Sequence, residues 1–374
     1  MATPWRIVAR TPRSNDDLRS AAAVYMSPLR RFGRLAGDGA TVTSPVLSVV
    51  IPTRNRPESV LRLLRSLSAQ TLPRQDYEVI VVDDGSQPPL EYATFQDCGL
   101  SDFTIVRRDS NHGAHASRSA GLDRASAPRV LFLDDDVSLS DILLSEHARV
   151  ERQFAVGQIL YDVGARETPY FRYQTKRYEF ADSALQEQEA ILAAVIYICN
   201  ASGVTERFRT LFDGVARLLG SSHAAGDGFD EELLNMQMKH SSELAVYLRK
   251  AVALHIDMKS LDDARRERRA RGETECRLLL RLPEVRADFR SYETLVARPV
   301  SLRAWKPRLY WAAPSLFGAL SDACTLLADR APARFVPSWI CYPALAISFW
   351  EGMRQVAPSY PRLRAALLSP GEPQ

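Results

Sequence analysis

Three consecutive carboxylates, Asp134, Asp135 and Asp136, follow the apolar run RVLFL at 129–133. At 4 Å and an effective dielectric of 20, two like charges repel by about 4 kcal/mol. A fold tolerates such a trio where a cation or basic side chains neutralise it, or where it lies in water. If the strand continues through the acids, alternate residues share a face and each advances the chain by about 3.3 Å. Asp134 and Asp136 are then side by side, roughly 7 Å apart at the backbone, and could converge on one divalent ion. Hard ions such as Mg²⁺ and Mn²⁺ take oxygen ligands and share them with phosphates. A solvated acidic turn is the plainer alternative.

The flanking pattern indicates what positions these acids. VLSVVIP (46–52), YEVIVVDDG (77–85), FTIVRR (103–108) and RVLFLDDD (129–136) read as strands. PESVLRLLRSLSAQ (57–70) carries Leu61, Leu64 and Leu67 at helical spacing behind Pro57, a residue suited to a first helical turn. GAHASRSAGLDRAS (113–126) reads as a second helix. Repeated strand–helix–strand units predict an α/β fold, a parallel sheet with right-handed crossovers. Ligands of open parallel sheets bind beyond the carboxyl ends of the strands. PTRNRPE, DDGS and DDD all fall at those ends, which favours a metal-plus-phosphate site.

The whole chain sets bounds on this reading. At 374 residues, with 46% apolar and 25% charged residues, it has the make-up of a soluble globular protein of one large or two ordinary domains. A net charge of +3 gives no argument for nucleic acid. Five scattered cysteines without a CxxC pair predict free thiols in a reducing cytoplasm. The N-terminus lacks the apolar core of a signal peptide. VPSWICYPALAISFW (336–350) is too short for an ordinary membrane span and reads as a buried helix.

Taken in order, LSVVIPTRNRPESVLRLLRSLSAQTL, YEVIVVDDGS, NHGAHASRSAGLDRA and VLFLDDD resemble the family-2 inverting glycosyltransferases, well over 46–140 and loosely over 199–256. The resemblance implies a GT-A fold, Rossmann-like, with a mostly parallel sheet flanked by helices. It divides the chain into an N-terminal extension (1–44), a catalytic domain (45–258) and a helical C-terminal region (259–374). Within the catalytic domain, 45–140 would be the nucleotide-binding half and 141–258 the acceptor side. The implied reaction moves a sugar from a nucleotide-sugar, a UDP-sugar by preference, to a hydroxyl, assisted by Mn²⁺ or Mg²⁺.

The resemblance also implies roles for residues. Pro52, Thr53, Arg54 and Asn55 would begin the base and ribose pocket. Asp84 would hydrogen-bond the base, with Asp83 supporting its loop. Arg118 matches a nucleotide-facing position, although the asparagine usual after it is here Ser119. Asp136 would be the direct metal ligand. Asp134 would contact the ribose or a metal-bound water, and Asp135 is grouped with the nucleotide contacts. LAVYLRKAVALHID (244–257) resembles the strand of the family's late histidine, which makes His255 a metal or diphosphate contact.

Counting back from His255 favours Asp230 in FDEEL as the general base, with Asp227 second. Phe229 stands where the family's Glu-Asp pair would have its glutamate. An alternative alignment on KHSSEL puts His240 and Ser241 in the acidic positions. The plainer readings make Asp230 and Glu231 first-turn acids of a helix, His255 a core histidine, and His112 and His115 loop and helix-surface residues.

The last third reads as helical. The basic run RRERRARG (265–272) is either a solvated helix face or a group approaching the diphosphate or an anionic acceptor. The Trp- and Leu-rich segments beyond it are expected to pack on the catalytic domain, with a homodimer face or peripheral membrane contact as alternatives. The acceptor is left open among saccharide, lipid-linked, small-molecule and peptide hydroxyls. Two other functions compete. A nucleotidyltransferase should carry a Gly-rich basic loop after the first strand, and PTRNRPE has no glycine. A degenerate transferase domain kept for nucleotide-sugar binding or assembly fits the irregular acidic motif.

Overall fold

The computed structural model describes residues 44–161, 168–183, 190–192, 198–219, 233–234, 236–238, 243–256, 260–297, 302–330 and 335–369. Its first half is built from β1 (Leu47–Thr53), α1 (Pro57–Ser68), β2 (Tyr77–Asp84), β3 (Thr104–Arg108), α2 (Gly113–Arg124) and β4 (Arg129–Phe132). These strands pair in parallel in the order β3–β2–β1–β4. β1 and β4 are buried along almost their whole length, because both faces of this sheet are covered. On one face Val60, Leu63, Leu64 and Leu67 of α1 pack on Leu47, Val49 and Ile51. On the other, Leu122 of α2 meets Val50, Ile80 and Val82.

Beyond β4 the sheet becomes mixed. It continues with β5 (Val137–Leu139), α3 (Leu143–Ala148), β6 (Phe154–Tyr161), α4 (Pro169–Ser183), β7 (Ala190–Leu192), β8 (Ala201–Val204), α5 (Thr205–Leu219) and β9 (Leu244–His255). β8 is antiparallel to both β4 and β6, whereas β6 runs parallel to β9. The other edge of β9 is shared. β7 pairs with its first residues and β5 with its last. The β6–β9 register shifts between Gly157 and Gln158. A Cβ on Gly157 would lie 2.2 Å from the Asn200 amide, so only glycine allows this approach.

The chain ends in helices α6 (Leu261–Arg281), α7 (Arg290–Val296), α8 (Leu302–Ala312), α9 (Pro314–Arg330), α10 (Cys341–Val356) and α11 (Tyr360–Leu368). Ser260 caps α6 by accepting from the Asp263 N–H, while the Asp263 carboxylate accepts from the Ser260 N–H. α6 and α10 cross at near contact through Gly272 and Gly352, where a Cβ would meet the carbonyl oxygens of Phe349 and Arg269. One apolar cluster joins Phe132, Phe208 and Phe212 to Cys276, Leu279, Met353 and Leu363, so the terminal helices pack on the sheet domain. α9 nonetheless leaves Leu316, Leu320 and Leu327 exposed.

The basic run is not a plain solvated face. Arg265 is buried and bonds Asp322, Thr325 and Ser348, tying α6 to α9 and α10. Arg269 pairs with Glu351 at 2.7 Å, and Arg266 pairs with Asp262 and Asp263 on its own helix. The segment 341–356 is a helix with Ala344, Leu345, Ile347 and Met353 buried. No helix among the described residues is long and apolar enough to cross a membrane.

Candidate active site

The acidic trio does not lie on a strand. β4 ends at Phe132, and Asp135 and Asp136 occupy a turn before β5. The side-by-side arrangement of Asp134 and Asp136 on one strand face is therefore incorrect. Sheet register decides their neighbours instead. β4 pairs Phe132 with Ala201, and continuing that antiparallel register sets Cys199 opposite Asp134. β5 pairs Val137 with His255, and the Ile256 N–H donates to the Asp136 carbonyl at 3.0 Å. Two distant segments, those of Cys199 and His255, thus meet the turn at the carboxyl end of β4.

Each carboxylate has its own partner there. Asp134 pairs with Arg118 of α2 at 2.8 Å. Asp135 accepts from the Thr53 hydroxyl at 2.6 Å and from Arg56 at 3.1 Å. Arg56 also reaches Asp136 at 3.2 Å. The other oxygen of Asp136, Oδ1, lies 3.2 Å from His255 Nδ1. That oxygen is buried and has the imidazole as its facing partner. Protein guanidinium groups therefore supply part of the neutralisation that the three acids need. Three carboxylates face two guanidiniums and the His255 imidazole.

The surroundings tune these groups unequally. Burial pushes the Asp135 carboxyl up to about 6, against the Thr53 hydrogen bond and Arg56 and with the help of Asp136 and Asp134. At Asp136 burial pushes the same way, but His255 and Arg56 outweigh it and hold the carboxyl below its ordinary value. Burial, reinforced by Asp134, pushes the Cys199 thiol well up. His255 Nε2 faces Cys199 Sγ at 3.9 Å, and the ring stacks on Tyr161 with centroids 5.0 Å apart. Asp134, Cys199 and His255 offer ligand atoms that all lie within 4.8 Å of one another.

The adjoining loops are held from within. Asp83 is fully buried and accepts from the Ser86 and Leu90 N–H groups and from Arg107. Burial opposes ionisation, but these bonds outweigh it and keep the carboxyl below its ordinary value. Asp84 accepts from the N–H groups of His112 and Gly113 at 3.0 and 2.8 Å, fixing the start of α2, and lies 3.2 Å from Arg108 Nε. Asn55 adopts φ +56°, donates its N–H to Ser86 and accepts from the Gln87 N–H. It ties the β1 loop to the β2 loop. Pro52 is half-buried, while Arg54 and Asn55 are exposed beside the acidic turn's partner Thr53.

A buried polar network anchors the segment that carries Cys199. Asn200, at φ +64°, donates its amide to the carbonyls of Gln158 and Ala251. Its Oδ1 lies 2.9 Å from His147 Nε2, and His147 Nδ1 lies 2.8 Å from the Ser202 hydroxyl. Burial, with Arg129 nearby, pushes the His147 imidazole down to about 3 despite the Asn200 bond, so it stays neutral. Burial also pushes the Arg129 guanidinium down to about 10.

Residues 48–207 match the sequence model described as Glycosyl transferase family 2. These residues belong to that family. Glycosyltransferase AglE of Haloferax volcanii is 36% identical over 99 residues, 26% of this chain and 33% of its own length. Validoxylamine A glucosyltransferase of Streptomyces hygroscopicus subsp. limoneus is 32% identical over 137 residues, 36% of this chain and 27% of its own. The matched part of this chain therefore spans a third or less of these relatives. The solved mannosyltransferase PcManGT from Pyrobaculum calidifontis, in complex with GDP-Man and Mn²⁺, superposes with a TM-score of 0.48 at 18% identity. That superposition covers 84% of this chain and 88% of that one.

The fold brings Thr53, Arg118, Asp134, Asp135, Asp136 and His255 together, while Asp83 and Asp84 brace the neighbouring loops. Asp227, Asp230, His240 and Ser241 lie outside the described residues. Two contributors escaped the sequence reading. Arg56 sits in the quoted PTRNRPE segment and needed only the neighbouring acids to reveal it. Cys199 depends on the β4–β8 register, which no local pattern announces. His115 is no surface residue, because it is buried and stacks on Phe212 with centroids 4.6 Å apart.

Proposed function

We propose that the protein is an inverting glycosyltransferase. It takes a sugar from a nucleotide-sugar, a UDP-sugar by preference, and delivers it to an acceptor hydroxyl in a single displacement. The observation that carries this reading is the convergence of Asp134, Asp136, His255 and Arg118 at the carboxyl end of β4, inside a family 2 transferase domain. The names of the matched relatives, both glycosyltransferases, support the same reaction class.

The donor set fits a divalent cation, because Asp134 and His255 offer ligand atoms within 4.8 Å of one another and the Asp136 carboxylate adjoins the same imidazole. Asp134, Asp136 and His255 form the group that would hold it. When bound, a divalent ion would supply Lewis-acid stabilisation of the departing diphosphate. Arg118 and Arg56 act on the same charge, as fixed guanidiniums whose attraction grows as the leaving group ionises. Pro52, Thr53, Arg54 and Asn55 would meet the base and ribose, with Asp83 and Asp84 holding their loops in place. Asp135, kept on Thr53 and Arg56, orients that arginine toward the nucleotide. Asp230 is proposed as the base that takes the acceptor proton, with Asp227 second.

The deciding assay is turnover of a panel of nucleotide-sugars in the presence of Mn²⁺. Slow donor hydrolysis that disappears in Asp136→Ala is the expected result. Tight nucleotide binding without turnover of any donor would instead support a binding or assembly protein built on a degenerate transferase domain.

A further inference from the structure

The cation-binding reading leaves one buried residue unassigned. Cys199 precedes β8, and the antiparallel β4–β8 register sets it opposite Asp134. The backbone of Asp134 hydrogen-bonds its sulfur. Its Sγ lies 3.9 Å from His255 Nε2, and Sγ, that ring and an Asp134 oxygen all fall within 4.8 Å of one another. Bond lengths of about 2.3 Å to sulfur and about 2.1 Å to nitrogen put the two atoms about 3.6 Å apart in a tetrahedral site. The observed spacing is a few tenths of an ångström from that. Asp136 Oδ1 is buried and faces the opposite ring nitrogen, Nδ1, at 3.2 Å. A carboxylate behind an imidazole is the arrangement that orients a metal-binding histidine. Here it aims Nε2 at the sulfur.

We infer that Cys199 is a metal ligand, binding through its thiolate together with His255 Nε2 and Asp134, with Asp136 as the positioning residue behind His255. This inference rests on the proposal that the acidic turn takes a divalent cation; it puts Cys199 in the place given there to Asp136, which stands behind His255, and so changes which cation. Sulfur and imidazole favour borderline ions such as Co²⁺ and Zn²⁺, whereas carboxylates alone favour Mg²⁺ and Mn²⁺. The site is then a mixed S, N, O centre. Binding converts the thiol to a thiolate and releases its proton to solvent.

The network around Asn200 supports this assignment, because it fixes the residue next to Cys199 from three sides. Its N–H donates to the Phe132 carbonyl at 2.9 Å, its own carbonyl accepts from the Gly157 N–H at 2.8 Å, and its amide bonds Gln158 and Ala251. The four other cysteines, Cys98, Cys276, Cys324 and Cys341, are buried elsewhere and serve as internal controls.

The test titrates the full chain with Co²⁺ and follows absorption, with no substrate present. The wild type should develop a thiolate-to-cobalt charge-transfer band, which Cys199→Ser should lack. Cobalt affinity should fall about tenfold or more in that variant, and Mn²⁺ affinity should change much less. Calorimetry in two buffers should find one proton more released by the wild type than by the variant. The wild-type spectrum is decisive even if the variant fails to fold. Cobalt binding without the band, or a band that survives in Cys199→Ser, overturns the inference. If Mn²⁺ and uridine diphosphate still bind together while the band is missing, the inference falls and the transferase reading stands. If no cation binds with or without nucleotide, both fall.

Discussion

The two halves of the sheet handle buried polarity in opposite ways. In the parallel half, the strands end in charges: Asp83 and Asp84 after β2, Asp134–Asp136 after β4, met by Arg56, Arg107, Arg108 and Arg118. In the mixed half, the junction of β4, β6, β8 and β9 is held by a network centred on His147, Asn200 and Ser202, kept uncharged by burial. Fully bonded neutral groups rigidify a core, and a buried charge requires a partner. The parallel half therefore holds its acids through ion pairs, and the mixed half fixes its strands through bonded groups that are neutral apart from Arg129. Cys199 and His255 stand where the two meet.

Four experiments would break or sharpen that contrast. The largest effect is expected at Asp136. Asp136→Ala should lower donor turnover by on the order of 10²–10³ while leaving the thermal midpoint within a few degrees. Loss of folding comparable to the loss of turnover would make Asp136 a structural acid and erase the difference between the halves. Asn200→Ala should do the reverse. It strips partners from the Gln158 and Ala251 carbonyls and from His147, and should destabilise by on the order of 3 kcal/mol in urea unfolding.

The third experiment concerns pH. His147 has its folded value near 3, below the ordinary 6.5. The unfolded chain therefore binds the proton first. Stability from this group is complete above about pH 6.5 and is lost as pH falls toward 3, by up to about 5 kcal/mol. Denaturation of His147→Gln should show a flatter acid limb than the wild type, and an unchanged slope would remove His147 as its cause. The smallest effect is at Asp135, whose sign is opposite. Its folded value near 6 exceeds the ordinary 3.8, so the folded chain binds the proton more tightly. Stability from this group falls as pH rises from about 4 to 6. Asp135→Asn should abolish that decline, a change of about 2 kcal/mol at most, measured as the difference in unfolding free energy between pH 4 and pH 6.5. A Mn²⁺-dependent shift of the Asp135 titration in nuclear magnetic resonance would sharpen the same point.

Much of the first half was legible in the chain itself. Each strand, its loop and the following helix are contiguous, and apolar runs ending in PTRNRPE, DDGS and DDD mark both the strands and the ends that bear chemistry. The second half was less so. CNASG and LAVYLRKAVALHID could be aligned loosely, but the antiparallel pairing of β8 with β4 and the shared edge of β9 join residues far apart in the chain. The same distance explains the misreading of the acids. A strand pattern extended through Asp136 predicts a shared face, yet the Leu133 N–H donates to Val50 and the chain then turns toward β9.

By itself, then, the sequence determined the parallel units, the acidic cluster at 134–136 and the family to which 48–207 belong, because periodicity and contiguous motifs are written residue by residue. Only the tertiary structure decided which side chain answers each acid. Arg56, Arg118, Cys199 and His255 reach the turn from separate segments. Charge and hydrogen bonding act through space over a few ångströms, and strand register, not position along the chain, sets which atoms come that close.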